Sequence, residues 1–152
     1  MIYSSTRLEQ FEIEKDEIIR FPEGLYAFEN EKEFALLPLN EQIDSPLQWL
    51  HSLQTPDLAF VVTDPYIYLP DYKFSLSLED KRHIRLRPED TTLTRVIVKI
   101  PKNFLEMTAN FLAPIVINSE QKFAKQFVLT SIEYDTSQYL LPEEMRESKA
   151  IV

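Results

Sequence analysis

The sequence predicts a mostly β fold, a small antiparallel β-barrel-like single domain with one or two short helices. Three observations predict it. Short runs rich in β-branched, aromatic and leucine residues recur between turn signals. Ten prolines interrupt the 152 residues, and because proline cannot donate to a ladder, each marks a strand end, an edge or a bulge. A hydrophobic content of 44%, with 12% aromatic, is ample for one packed core, so a sheet with an apolar face must close on itself or find a second layer.

Taken in order, strands are expected over residues 8–13, 18–21, 34–39, 58–62, 72–76, 94–100, 115–117 and 127–132. Alternation is clearest from Arg95 to Ile100, where Val96, Val98 and Ile100 point one way and Arg95, Ile97 and Lys99 the other. That pattern buries one face and leaves Arg95 and Lys99 in water. A helix is expected over 78–85, with Ser77 as its cap and Asp80 three residues on completing a capping box, before Pro88 stops it. A second turn or two of helix is expected over 46–53, with Leu47, Trp49 and Leu50 facing inward. Residues 1–141 read as the domain and 142–152 as a short exposed tail.

Composition excludes several function classes. The absence of cysteine removes disulfides, thiolate metal sites and a cysteine nucleophile, and suits a reducing compartment such as the cytoplasm. One glycine, Gly24, leaves no room for a P-loop, a dinucleotide fingerprint or a GxSxG elbow. His51 and His83 lie apart, without metal-ligand spacing, and packing or surface roles suit them better than acid–base chemistry. No apolar run approaches the length of a membrane span, and no basic stretch followed by an apolar run opens the chain. Neither catalysis, a cofactor nor a metal is expected.

A net charge of −9 makes contact with phosphate backbones or anionic membranes unfavourable. Residues 1–50 hold 11 acids and 4 bases, whereas 71–100 hold 5 acids and 7 bases. The acidic face either serves solubility or steers basic partners in.

Three stretches are more idiosyncratic than a β domain requires. The first runs Ile19-Arg20-Phe21-Pro22-Glu23-Gly24-Leu25 with Phe28-Glu29; Gly24 follows a turn of the type II kind, centred on Pro22-Glu23 or on Glu23-Gly24. The second, Pro46-Leu47-Gln48-Trp49-Leu50-His51-Ser52, contains the sole tryptophan, expected as a core anchor. In the third, Met107-Thr108-Ala109-Asn110-Phe111-Leu112-Ala113-Pro114-Ile115-Val116-Ile117-Asn118, Thr108 and Asn110 either bond the loop's own backbone or, with Asn118 and neighbouring apolar groups, face a partner. With Phe60-Val61-Val62 before Pro65, and Ala124-Lys125-Gln126 with Leu129, these stretches resemble the FliW family of flagellar assembly factors along essentially the whole chain.

The resemblance implies a β-barrel-like, non-enzymatic regulator with two protein partners. These are the RNA-binding translational regulator CsrA, whose repression of flagellin mRNA it antagonises, and flagellin, which competes for it. It implies a free monomer, while the net charge and the lack of a long apolar run point to no direct contact with nucleic acid or membrane. An alternative reading, from ten Phe and seven Tyr, is a small barrel holding an apolar ligand. The expected protein-binding residues are Met107, Thr108, Ala109, Asn110, Phe111, Pro114 and Asn118, with Phe21, Pro22, Gly24, Leu25 and Trp49 as structural motif residues.

Overall fold

The computed structural model describes residues 1–42, 44–131 and 133–147. Its strands are β1 (Ile2–Ser5), β2 (Glu9–Glu12), β3 (Ile19–Arg20), β4 (Glu33–Pro38), β5 (Leu47–Ser52), β6 (Ala59–Thr63), β7 (Thr92–Lys99), β8 (Thr108–Ala109), β9 (Ile115–Asn118), β10 (Ala124–Gln126) and β11 (Gln138–Tyr139). Two short α-helices, α1 (Leu78–His83) and α2 (Glu143–Glu147), and 3-10 turns over Lys15–Glu17, Pro65–Ile67 and Phe104–Glu106 complete the described elements. The mostly β, antiparallel class read from the sequence is the one observed.

The main sheet runs β10-β9-β7-β6-β5-β4-β3, and β8 pairs with the end of β7 and with β11. It curls until its two end strands meet at one bridge, Arg20 to Phe123, where the Arg20 amide donates to the Lys122 carbonyl at 2.8 Å. The result is barrel-like without a closed ladder. Residues that alternate along each strand fill the interior: Phe34 and Leu36 from β4, Leu50 from β5, Phe60 and Val62 from β6, Ile97 from β7, and Ile115 and Ile117 from β9. Phe21 crosses Phe34 edge to face at 5.2 Å. These side chains occupy the space that a bound apolar molecule would need.

The outside of the barrel is covered as well. The β1–β2 hairpin lays Tyr3, Phe11 and Ile13 over Ala35 and Leu37. Tyr72, Phe111 and Leu140 cover Val96 and Val98, and Ile84, Phe74 and Phe127 cover Val116. Both faces of the central strands are thus buried, which corrects the one-sided strand expected at 94–100. Val96 and Val98 are buried outward, Ile97 packs inward, Arg95 is half-buried, and Ile100 is exposed beyond the strand end.

The same double burial explains a second correction. Residues 47–52 form β5, not a helix, with Leu50 inside and His51 outside, both fully buried. A strand buried on both faces loses the alternation that would reveal it. Trp49 points outward from β5 and is only half-buried, with the Arg7 guanidinium 5.3 Å from its ring, so it is not the core anchor expected.

Segments 72–76 and 127–131, expected as strands, alternate buried and exposed side chains but join no ladder; Ile132 lies outside the described residues. The strands β1, β8, β10 and β11 had no strand expectation attached. The helix expected over 78–85 ends at His83, and its capping box forms: the Asp80 amide donates to Ser77 Oγ at 3.0 Å and the Ser77 amide to Asp80 Oδ2 at 3.1 Å. Of the expected tail, 142–147 contain α2 and 148–152 lie outside the described residues.

Candidate protein-binding site

The segment Met107 to Asn118 divides into side chains that reach the surface and side chains that hold them there. Thr108 and Ala109 form β8, which lies between Lys99 and Val98 of β7 on one side and Tyr139 and Gln138 of β11 on the other. A strand with two neighbours has no free backbone edge, so only its side chains can meet a partner. Met107, Thr108 and Asn110 are half-buried, whereas Ala109, Phe111, Pro114 and Asn118 are buried.

The buried members fix the loop. Phe111 meets the Tyr72 ring edge to face at 5.3 Å, and Tyr72 Oη donates to the Phe111 carbonyl at 2.5 Å. Burial pushes the Tyr72 hydroxyl far above its ordinary pKa, so it remains a donor. Asn110 accepts from the Ala113 amide at 3.0 Å while its own amide donates to the Ile97 carbonyl at 3.0 Å. Asn110 therefore bonds its own loop, although it remains only half-buried.

Asn118 is wholly committed. Its Nδ2 donates to the carbonyls of Ile84 and Arg85 and to Asp90 Oδ2, and its Oδ1 accepts from the amides of Glu120 and Gln121. The Arg87 amide, then the Arg87 guanidinium and Asn118, hold the Asp90 carboxyl below the usual carboxylate range.

Two exposed apolar groups adjoin this loop, and sequence reasoning missed them: Phe104, whose carbonyl accepts from the Met107 amide, and Tyr139. Tyr139 pairs with Thr108, and the Leu140 amide donates to the Met107 carbonyl, which carries this patch to the edge of β8. Nothing in local sequence distinguishes an exposed Phe104 from a buried one.

The other motif residues are structural in placement. The Gly24 amide donates to the Phe21 carbonyl at 2.9 Å, so Pro22 and Glu23 are the central pair of the turn. Glu23 has no positive φ, which makes the turn type I and not the type II kind expected; Gly24, at φ +66°, follows it. Leu25 and Phe21 are buried in the interior cluster. His51 is bonded to Ser5 Oγ at 2.7 Å and the Ser52 carbonyl at 2.8 Å. His83 Nδ1 lies 2.7 Å from Lys125 Nζ, whose other partner is Glu23 at 2.9 Å. Hydrogen bonding to Lys125 keeps the Glu23 carboxyl low. Among the described residues no group of three or more metal-ligating side chains comes together, and no helix is long and apolar enough to cross a membrane.

The fold agrees with known proteins. A family model described as FliW protein matches residues 2–140. The chain belongs to the FliW family. A flagellar assembly factor FliW from Alkaliphilus metalliredigens is 36% identical over 94% of this chain and 88% of its own length. One from Anoxybacillus flavithermus is 38% identical over 83% of this chain and 85% of its own. The crystal structure of a flagellar assembly factor FliW superposes with a TM-score of 0.85 at 34% identity, covering 95% of this chain and 99% of that one. The barrel, its outer covering and the Met107 to Asn118 loop all fall within the matched FliW span.

Proposed function

We propose that this FliW chain is a non-enzymatic, cytoplasmic flagellar assembly factor that works by partner exchange. It binds CsrA, relieving repression of flagellin mRNA translation, and flagellin displaces CsrA from it. The observation that carries this reading is the full-length likeness to relatives named flagellar assembly factor. The chemistry supports it: both histidines are engaged in hydrogen bonds, and the surface is strongly acidic. Such a surface disfavours direct RNA contact and favours a basic, RNA-binding partner.

The partner contact is assigned to the loop of Met107, Thr108, Ala109, Asn110 and Phe111, with Pro114 and Asn118. Met107, Thr108 and Asn110 touch the partner, flanked by the apolar Phe104 and Tyr139; the buried members hold them in place. The free protein acts as a monomer.

Titration of purified chain against CsrA and against flagellin tests the reading. Saturable binding to each, with flagellin releasing CsrA, is the expected outcome. In the doubly substituted Met107→Ala, Asn110→Ala chain both affinities fall at least tenfold with the thermal transition retained. Failure to bind either protein sinks the function, and undiminished binding by the folded double variant sinks the site.

A further inference from the structure

Segments 72–76 and 127–131 flank an open cleft of about 530 Å³. Each alternates as a strand does: Tyr72 is buried, Lys73 exposed, Phe74 half-buried, Ser75 exposed; Phe127 is buried, Val128 exposed, Leu129 half-buried, Thr130 exposed. Phe127 and Leu129 send their amides inward, to the carbonyls of Pro114 at 2.9 Å and Leu112 at 2.8 Å. The amides of Val128 and Thr130, between and beyond them, have no hydrogen-bond partner among the described residues. Across the cleft, the amides of Phe74, Ser75 and Leu76 are equally without one. At its end, Tyr134 Oη accepts from the Lys73 amide at 3.1 Å and donates to the Lys73 carbonyl at 3.3 Å, as a neighbouring strand would.

We infer that this cleft is a strand-acceptor site, in which an extended peptide segment of a partner protein lies alongside residues 127–131 and pairs with the main chain of Val128 and Thr130. Two observations define the occupant. Unpaired main-chain groups on both walls are satisfied together by an extended backbone, whereas a helix keeps its own amides internally bonded. Phe74, Leu76 and Phe127 form a floor suited to apolar side chains at alternate positions. Charge defines its flank. In a chain of net charge −9, the cleft is lined by Lys73 and Lys125 against Asp80 alone. Lys73 forms no ion pair among the described residues, and the Asp80 carboxylate is engaged with the Ser77 amide. The peptide is therefore apolar at alternate positions and acidic at the Lys73 end. The inference stands apart from the identity of the proteins named above, because it rests on this cleft alone.

The probe is a synthetic, end-blocked peptide of alternating valine and threonine with glutamates at one end, titrated into the full chain and followed by fluorescence anisotropy and amide hydrogen exchange. Saturable binding with at least tenfold slower exchange at Val128 and Thr130 is expected. Val128→Pro removes an N–H that no bond in the free protein uses, and lowers affinity at least tenfold while Val128→Ala does not. Lys73→Glu weakens the acidic peptide and strengthens one with lysines in place of the glutamates. No binding at millimolar peptide, or binding without protection at these two amides, overturns the inference. So does self-association of the chain through the same amides, which makes a second copy the occupant. Should Val128→Pro fail to fold, the exchange pattern of the unsubstituted chain decides.

Discussion

Gly24 occupies the one position where this chain requires the missing side chain. A Cβ there would stand 2.6 Å from the backbone of Glu29 and from the Phe28 carbonyl, at a φ of +66°. Gly24→Ala is therefore expected to destabilise by roughly 2 kcal/mol or more, from the left-handed backbone and the clash together, read as a lower urea midpoint. An unchanged midpoint would show that the turn relaxes around the added methyl. The sequence pointed to Gly24 because it follows Pro22-Glu23, yet it gave no hint of four other left-handed residues, Glu9, Ala27, Arg85 and Lys122. None is an amino acid that advertises this conformation, and tertiary contacts impose it. Burial of Phe111 was equally hidden, since its partner Tyr72 lies 39 residues away.

Elements with their own signal were legible. β4, β7 and β9 sit where β-branched and aromatic runs placed them, and α1 begins at the Ser77 cap. β8 and β11, two residues each, exist only because β7 supplies a neighbour to β8 and β8 one to β11, so no local pattern marks them. The candidate loop was visible as an unusual stretch, but its division into surface and support depends on which elements close over it. Asn118 illustrates this: the last residue of β9 ties down the loop after α1 through Asp90. Because the folded chain holds Asp90 below its ordinary pKa, the stabilisation is complete above the ordinary carboxylate value and fades as pH falls through the lower folded one. Asp90→Asn should lower stability at neutral pH and flatten its decline below about pH 4, measured as urea midpoints across that range. A decline parallel to the parent would mean that other carboxylates carry the acid response.

Across the whole molecule, charge is the property most open to direct test. Glu9, Glu12, Glu14, Asp16 and Glu17 are all exposed, on β2 and the turn after it. On the partner-exchange reading proposed above, docking to CsrA would set this negative charge next to incoming phosphates. Replacing the glutamates by glutamine and Asp16 by asparagine should weaken inhibition of RNA binding by the CsrA complex several-fold at low salt, with little difference at high salt, where screening already removes the effect. Inhibition that is the same at low salt would leave a steric or conformational cause.

A cylinder whose ends meet, among the described residues, at one main-chain bridge, Arg20 against Phe123, has its thinnest run of backbone bonds there. Side chains reinforce that line, with Glu23 2.9 Å from Lys125 Nζ and the Tyr26 amide donating to Gln126 Oε1 at 3.2 Å, while Phe21, Leu25 and Ala124 are buried behind it, so parting it uncovers interior apolar surface. The Gly24 turn and the start of β10 thus meet mainly through side chains, where a continuous ladder is missing.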